Sequence, residues 1–531
     1  MLTTTRWFEK LRQRMRSLFH REDVDDELND ELRFHIDQKT QTYIAQGLSL
    51  AEARRRAMLD FGGLAKRTEE CRDARGTAWL EDATHDLTFA ARQLRKTPGF
   101  TAVAILTLAL GIGANAAIFS LVHAFLLKNL PVADPKTLVR VGTGNSCCVN
   151  GGIPDDGNYD LFSTDVYNRL RKNVPEFEQL AAMEAGYRYR PVIARRAGTQ
   201  DAARSVTTQF VSGNFFHTFG LSPAAGRLLT DADDQQGAPI TAVMSYELWQ
   251  SRYGGDASIV GSSFWIDTQP VTIVGIAPRD FYGDRLSDMP PDLYLPIQLL
   301  TTVMNAPFVN DNNMSWLYVI GRVKPGTSLP ALQAEVNAIA KPALAETKTF
   351  KNPRFKDLIG KAHITLSPGG AGIQDLQEQY QSNLRLLMFA SGLVLLIACA
   401  NIANLLLVRG MQRKTELSVR TALGAARSRL VRQLLTESIL LASLGGLTGL
   451  AVAYGGTRFL LALAFPDAVN MPISPSPSPI VLGFAFALSL ITGILFGIAP
   501  AWLAAKTDPA DALRGSRTVR SEEHTSELQS Q

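Results

Sequence analysis

Four long apolar runs divide the chain, and the polar residues at their ends set its plan. Phe100 to Leu127 contains no Asp, Glu, Lys or Arg, and Thr97-Pro98 places a cap and a first-turn proline in front of it. At about 1.5 Å per residue this run outlasts a bilayer core of roughly 30 Å, so its far end near His123 is expected to project beyond the hydrocarbon. Leu384 to Val408 carries no charge after Arg385, Leu434 to Phe465 forms a third run, and Ile480 to Ala504 a fourth, with a kink expected at Pro500. The pattern predicts transmembrane helices at about residues 98–127, 384–408, 434–465 and 480–504. Pro466 to Pro479, proline-rich, cannot continue a helix and reads as the loop between the last two.

Small residues give these helices faces for close packing. Gly111 and Gly113 stand with Ala114, Ala116 and Ala117 on the first, Gly445 and Gly449 in GxxxG spacing on the third, and Gly493 and Gly497 likewise on the fourth. Asn115 and His123 have two readings, as transport-path groups or as groups satisfied by interhelical bonds and the water interface. Asn401 and Asn404 are placed to hydrogen-bond across the bundle.

Segment 409–433 joins the second and third runs. In it Arg409, Arg413, Lys414, Arg420, Arg427, Arg429 and Arg432 face one local acid, Glu416, the bias of a short cytoplasmic loop. Arg413, Glu416 and Arg420 fall three and four apart and share one face of a short helix, which Gly424 ends; Ser428 begins the next. A solvated basic loop that only sets topology is the plain alternative. Arg92, Arg95 and Lys96 before the first run, and Lys506, Arg514 and Arg517 after the last, place those ends on the same inner side.

That topology leaves residues 128–383 outside. Runs at Thr137–Val141, Ile240–Met244, Val271–Ile276 and Trp316–Val323 read as strands, Phe264 to Gly275 as a hairpin, and Leu329 to Leu344 as a helix. Residues 1–97 read as helical: Trp7 to Phe19 is a basic amphipathic stretch, a helix spans about Asp25 to Gln46, and the Ser49/Glu52 capping box opens another that Gly62-Gly63 stops. The expected fold is an α-helical membrane protein of four transmembrane helices with a large α+β extracytoplasmic domain and a small helical cytoplasmic N-terminal domain.

A hydrophobic share of 46% with 20% charged residues suits a membrane protein carrying soluble parts, and a net charge of +4 concentrated beside the apolar runs excludes nucleic acid as the economical partner. Cys71, Cys147, Cys148 and Cys399 form neither a disulfide framework nor a metal spacing. The adjacent Cys147 and Cys148 fall outside, where oxidation is possible, and read as an ordinary loop pair. His20, His35 and His85 are unpatterned, and His217 and His363 stand alone without HExxH, so no catalytic or metal site is expected. The chain has no G-x-x-x-x-G-K-[ST], so ATP is expected to be bound by a partner subunit and no cofactor by this one.

Several strings resemble the MacB/FtsX-type ABC transporter permeases. They are R-K-x-E-x-x-x-R-x-A-L-G-A followed by R-x-x-L-x-E-S; LTLALGIGANAAIFSLVHAFLL with LPVADPKTLV; VSGNFFHTFGLSPAAGRLLTDAD, VMSYELWQSRYGGDASIVGSSFWI and TIVGIAPRDFYG in order; and PAWLAAKTDPADALRG. DELNDELRFHIDQKTQTYIAQGLSLAEARRRAMLDFGG is similar to the prefix domain of the branch in which two permease halves are fused. The resemblance implies a prefix domain at 1–97, a first transmembrane helix at 98–127, a periplasmic core domain at 128–383 and a permease domain at 384–519. It further implies that the helix bearing Arg413, Glu416, Arg420 and Gly424 docks on a cytoplasmic ABC ATPase. The permease would then relay ATP-driven motion through the inner membrane to act on a periplasmic substrate, with a second permease half, fused or as a homodimer, and a possible periplasmic adaptor.

Two rivals stay open at this point. An FtsX-like signalling permease would switch an outer hydrolase, and a membrane-tethered enzyme would need a catalytic constellation that the sequence does not present. The end of the chain stands apart: RSEEHTSELQS, within residues 520–531, looks like the in-frame translation of a sequencing-adapter oligonucleotide. On that reading the tail is non-native, the remainder is two units more positive than +4, and a second outer domain with four further helices is expected downstream.

Overall fold

The computed structural model describes residues 21–61, 78–144, 146, 148–149, 154, 156–186, 188–303, 306–412, 427–464 and 478–506. In chain order the main helices are α1 (Arg21–Ala45), α2 (Leu50–Phe61), α3 (Ala78–Lys96), α4 (Pro98–Val122), α5 (Thr164–Asn173), α6 (Tyr246–Tyr253), α7 (Leu329–Ala345), α8 (Asp375–Gln412), α9 (Arg427–Ala464) and α10 (Pro479–Lys506). The strands are β1 (Leu138–Val141), β2 (Phe177–Glu184), β3 (Arg190–Arg196), β4 (Arg204–Val211), β5 (Ala225–Gly226), β6 (Thr241–Met244), β7 (Ser263–Ile266), β8 (Gln269–Ile276), β9 (Leu293–Pro296), β10 (Leu317–Val323) and β11 (Leu366–Pro368). They form two compact units: residues 1–113, 393–452 and 483–531 make one, and residues 114–392 and 453–482 the other.

In the first unit α1 and α2 form an antiparallel hairpin. Leu32, Ile36 and Thr40 recur every four residues on the buried face of α1, and Ala53 and Ala57 do so on α2. The small side chains let the two backbones approach, and the Tyr43 hydroxyl donates to the Asp60 carboxylate across the pair. The helix that begins at Pro98 follows Thr97, whose carbonyl accepts from the Thr101 N–H at 3.0 Å. Its buried Ala104, Leu108 and Ile112 pack with Leu395, Ile402 and Leu406 of α8 and Leu441 of α9.

Three described helical stretches are long and apolar enough to cross a membrane: Pro98–Leu127, Asp375–Gln412 and Val431–Leu463, of 30, 38 and 33 residues. The described apolar part of α10 is Pro479–Leu495. Both α8 and α9 outrun the apolar runs that announced them. α8 starts nine residues before Leu384 and α9 already at Arg427, because their polar first turns are good helix formers continuous with the apolar stretch.

The second unit is built on one eleven-stranded sheet among the described residues. Strands β11, β1, β10 and β2 are successive antiparallel neighbours. β4, β3, β7, β8, β6 and β9 continue from β2 and close on themselves, because β9 pairs in parallel with β4. The expected α+β mixture is thus an open half-sheet joined to a six-stranded ring, which leaves no free edge in the ring. The hairpin expected over Phe264 to Gly275 is β7 and β8, with Ile266 opposite Gln269. α5 and α7 cover the half-sheet through Val166, Leu170, Leu332 and Val336, all in one core with the ring interior.

The string VSGNFFHTFG is a structural linchpin. Phe215, Phe216 and Phe219 are fully buried against Phe281 and Tyr294, with Phe215 and Phe216 edge to face at 5.2 Å. Asn214 donates to the Leu180 carbonyl at 2.9 Å and accepts from the Ser212 hydroxyl at 2.9 Å. Cys148 is disulfide-bonded, which corrects the reading of residues 147–148 as an ordinary loop pair. Cys147 and Cys71 lie outside the described residues, as do Trp7 to Phe19, most of the Pro466 to Pro479 loop and the 520–531 tail.

Candidate functional site

The helices that flank segment 413–426 carry buried charge. Arg409 ends the seam formed by Ile402 and Leu406 on α8, and Glu437 lies one turn ahead of Leu441 on α9, so the apolar contact between the helices finishes in an ion pair. Arg409 Nη1 is 2.6 Å from Glu437 Oε1, with side-chain exposures of only 10% and 6%. Arg409 Nη2 donates to the Thr97 hydroxyl at 3.0 Å, and the guanidinium sits 4.6 Å over the Phe100 ring. One turn earlier on α9, Arg432 Nε donates to Asp86 of α3 at 2.7 Å, and that carboxylate is itself buried. Asp86, Ala90 and Leu94 lie four apart on α3, so the helix that turns its apolar face inward carries this acid with it. Two charged contacts therefore join the α3–α4 elbow, the end of α8 and the start of α9.

Sequence reading missed this arrangement. It took Arg409 and Arg432 for topology-setting cations with Glu416 as their single acid, and passed over Glu437 inside the third apolar run. The signal was present: an acid within an otherwise apolar run must be paired, and the R-x-x-L-x-E-S string contains both Arg432 and Glu437. What could not be read was the partner, because Asp86 and Arg409 are brought in by tertiary packing.

Arg413, Glu416, Arg420 and Gly424 lie outside the described residues. The glycines of the helix-packing set stand at helix contacts of several kinds. A Cβ on Gly113 would come within 2.7 Å of the Gly449 carbonyl, one on Gly445 within 2.5 Å of Leu108 Cβ, and one on Gly493 within 3.0 Å of Ala442 Cβ. At Gly111 and Gly449 the approaches are 3.0 Å, to Leu395, and 3.3 Å, to the Ala109 carbonyl; Gly497 is helical within α10. Asn115 is buried and exchanges hydrogen bonds with Ser391 of α8, donating to its carbonyl at 2.9 Å and accepting from its hydroxyl at 3.0 Å. Asn401 and Asn404 correct the expectation that they bond across the bundle. Ile402 and Leu406 take the packed face of α8, and the 3.6-residue period turns both asparagines to its exposed side.

Within the second unit the first turn of α8 meets Arg285. Arg285 grips Asp284 with two bonds of 3.0 Å, donates to the Glu184 carbonyl at 3.1 Å and lies 3.8 Å from Asp375. Tyr189 donates to Asp284 at 2.8 Å, and the guanidinium stands 5.2 Å from the Tyr189 ring and 5.0 Å from that of Tyr318. Asp284 is fully buried and Arg285 is 3% exposed. Burial opposes the guanidinium charge, but Asp284 offsets this and raises the Arg285 pKa. The Ile373 N–H donates to the Asp284 carbonyl at 2.9 Å, and Gly372, at φ +72°, passes so close to that carbonyl that a side chain there would collide with it. Among the described residues no group of three or more His, Cys, Asp or Glu could hold a metal ion. His217 and His363 are exposed.

Residues 101–339 match the family model for the MacB-like periplasmic core domain, and residues 388–509 that for the FtsX-like permease C-terminal region. The chain is 26% identical over 392 residues to the pyoverdine export ATP-binding/permease protein PvdT of Pseudomonas syringae pv. syringae, covering 72% of this chain and 55% of that protein. It is 25% identical over 323 residues to the ABC transporter permease YknZ of Bacillus subtilis, covering 60% and 72%. To the macrolide export ATP-binding/permease protein MacB of Agrobacterium fabrum it is 27% identical over 334 residues, covering 61% and 46%. The chain thus spans about half the length of the ATP-binding/permease relatives it matches. Among solved structures, the periplasmic region of MacB from Actinobacillus actinomycetemcomitans matches at 13% identity with a TM-score of 0.30, covering 47% of this chain and 94% of that one.

Proposed function

The chain belongs to the MacB/FtsX-type ABC transporter permeases, and from that premise we propose that it relays the strokes of a separate cytoplasmic ATPase to its extracytoplasmic domain. The observation that carries this reading is the pair of charged contacts, Arg409–Glu437 and Arg432–Asp86, at the two ends of segment 413–426. A push on that segment reaches α8, α9 and the α3–α4 elbow together, because each contact would have to strand a buried charge to let one element move alone. α8 then carries the displacement as one continuous helix whose first residue, Asp375, faces Arg285 of the sheet domain. No channel through the bundle is needed.

In this reading α10 is the fourth transmembrane helix, residues 1–97 are cytoplasmic, and the sheet domain stands outside the inner membrane. The exposed Asn401 and Asn404, polar groups in an apolar helix, are met by a second permease half, fused or in a homodimer. Export is the favoured direction, since PvdT and MacB are both named for export.

The test is reversal of Glu416 and Arg420 together, Glu416→Lys with Arg420→Glu, in the full chain expressed with its ATPase. Copurification of the ATPase should fall while membrane insertion is retained; undiminished copurification would remove segment 413–426 from the docking site.

A further inference from the structure

Where α8 begins, two carboxyl groups face one guanidinium and are served very differently. Asp284 accepts two bonds from Arg285 and a third from the Tyr189 hydroxyl. Asp375, the first residue of α8, accepts none among the described residues. Its Oδ2 is buried without a hydrogen-bond partner, 3.8 Å from an Arg285 Nη1 that already donates to the Gly186 carbonyl. The charged and titratable groups that face Asp375 are Arg285 and Asp284 of the loop between β8 and β9, Arg140 of β1, Tyr318 of β10 and, on its own helix, Glu378. Arg140 Nη2 is turned to the Gly144 carbonyl, and its guanidinium stands 5.5 Å from the Tyr318 ring.

A buried carboxyl that receives no donor favours its neutral form. Asp375 lies nine residues ahead of Leu384, outside the apolar run, and its side chain keeps 14% exposure, so a proton from solvent reaches it. Burial outweighs the attraction of Arg285 and Arg140 and pushes the carboxyl up to about 6. Little else polar holds this turn. Gln377, 7% exposed, also leaves its Oε1 without a partner, and the seat is made by the Ile373 N–H on the Asp284 carbonyl and by Leu376 and Tyr380 packed in one cluster with Phe125 and Leu286.

We propose that the Asp375 carboxyl is a proton-binding site at the start of α8: neutral, it seats the first turn of the helix on the sheet domain, and charged, it unseats that turn. The charged form must bury a second carboxylate beside a guanidinium whose bonds go to Asp284 and to carbonyls, and moving toward water relieves it. What the neutral carboxyl contributes is full below the unfolded value of 3.8 and is lost as pH rises through 6. By reciprocity, a movement that draws the first turn off the sheet domain exposes the carboxyl and releases its proton to water. The site stands whether or not an ATPase drives that movement, so its test needs none.

The experiment is amide hydrogen exchange of the full chain in detergent, read by mass spectrometry on peptides spanning residues 372–383 from pH 5 to pH 8 and corrected for the intrinsic rate. A carboxyl that titrates at about 6 when seated and at 3.8 when free makes opening about tenfold more frequent at pH 8 than at pH 5. Asp375→Asn, a neutral side chain of the same shape, should keep the pH 5 level of protection throughout. Glu378→Gln removes the neighbouring exposed carboxyl of the same helix and should leave the tenfold change in place. A flat profile in the parent, an unchanged profile in Asp375→Asn, or loss of the change in Glu378→Gln would each overturn the proposal. So would faster exchange of Asp375→Asn than of the parent at pH 5, because the neutral form would then not be what seats the helix. Thermal melts give a second reading: Asp375→Asn should match the parent at pH 5 and exceed it at pH 8, and the reverse order would overturn the proposal as well.

Discussion

Glu437→Ala isolates the ion pair on which the coupling reading rests. The change takes the Glu437 carboxylate from beside the buried Arg409, which keeps the Thr97 hydroxyl, the Gln93 carbonyl and the Phe100 face. Breaking a buried pair from one side costs about 3–5 kcal/mol, because the remaining charge has lost its compensation. The contacts that Arg409 keeps place the expected cost at the lower end, about 3 kcal/mol, or roughly a hundredfold in the folded ratio. Arg409→Met with Glu437→Leu removes both charges and should recover most of that loss, since an apolar replacement of similar volume is often neutral. Unfolding of the full chain by titration with a denaturing detergent in mixed micelles measures all three, and ATP turnover by the copurified ATPase measures coupling. The double variant should be stable but uncoupled, because the helices then meet through apolar contact that can slide. A single variant within about 0.5 kcal/mol of the parent, or a stable double variant with normal coupling, would refute the reasoning.

Two neighbouring acids in the sheet domain predict opposite pH behaviour. Burial opposes the charge of Asp233, but Arg227 and the N–H and hydroxyl of Thr230 outweigh it and hold its pKa down to about 2, so its contribution is full above the unfolded value of 3.8 and is lost as pH falls through 2. Burial pushes Asp234 up to about 6 despite N–H donors from Gln298 and Gly213, so what its neutral form contributes is full below 3.8 and lost as pH rises through 6. At pH 7 Asp233→Asn should therefore cost about 2 kcal/mol in a thermal melt and Asp234→Asn far less; the reverse order would contradict both environments. Gly113→Ala should destabilise by about 1–3 kcal/mol in detergent unfolding, since its Cβ meets the Gly449 carbonyl at 2.7 Å, and Gly449→Ala by less, with a nearest approach of 3.3 Å. With Cys147 and Cys148 removed, an impermeant thiol reagent applied outside should label Ser258→Cys and not Ser17→Cys; labelling of Ser17→Cys alone would invert the orientation.

Much of the architecture was legible along the chain, for a physical reason. Apolar runs of bilayer length, the Thr97-Pro98 start and the alternating strands of the hairpin at Phe264 to Gly275 are local signals, since solvent and backbone geometry act on each stretch by itself. Family strings such as VSGNFFHTFG were visible as patterns, but that their phenylalanines form the aromatic core around Tyr294 was not. Closure of the ring by β9 on β4 was equally hidden, because parallel pairing of strands more than eighty residues apart leaves no local trace. The candidate coupling contacts belong to the same class. Arg409, Arg432 and Asp86 each look like surface or topology charges in sequence, and Glu437, an acid inside an apolar run, announces only that it needs a partner; packing, which buries three helices against one another, decides which charges meet.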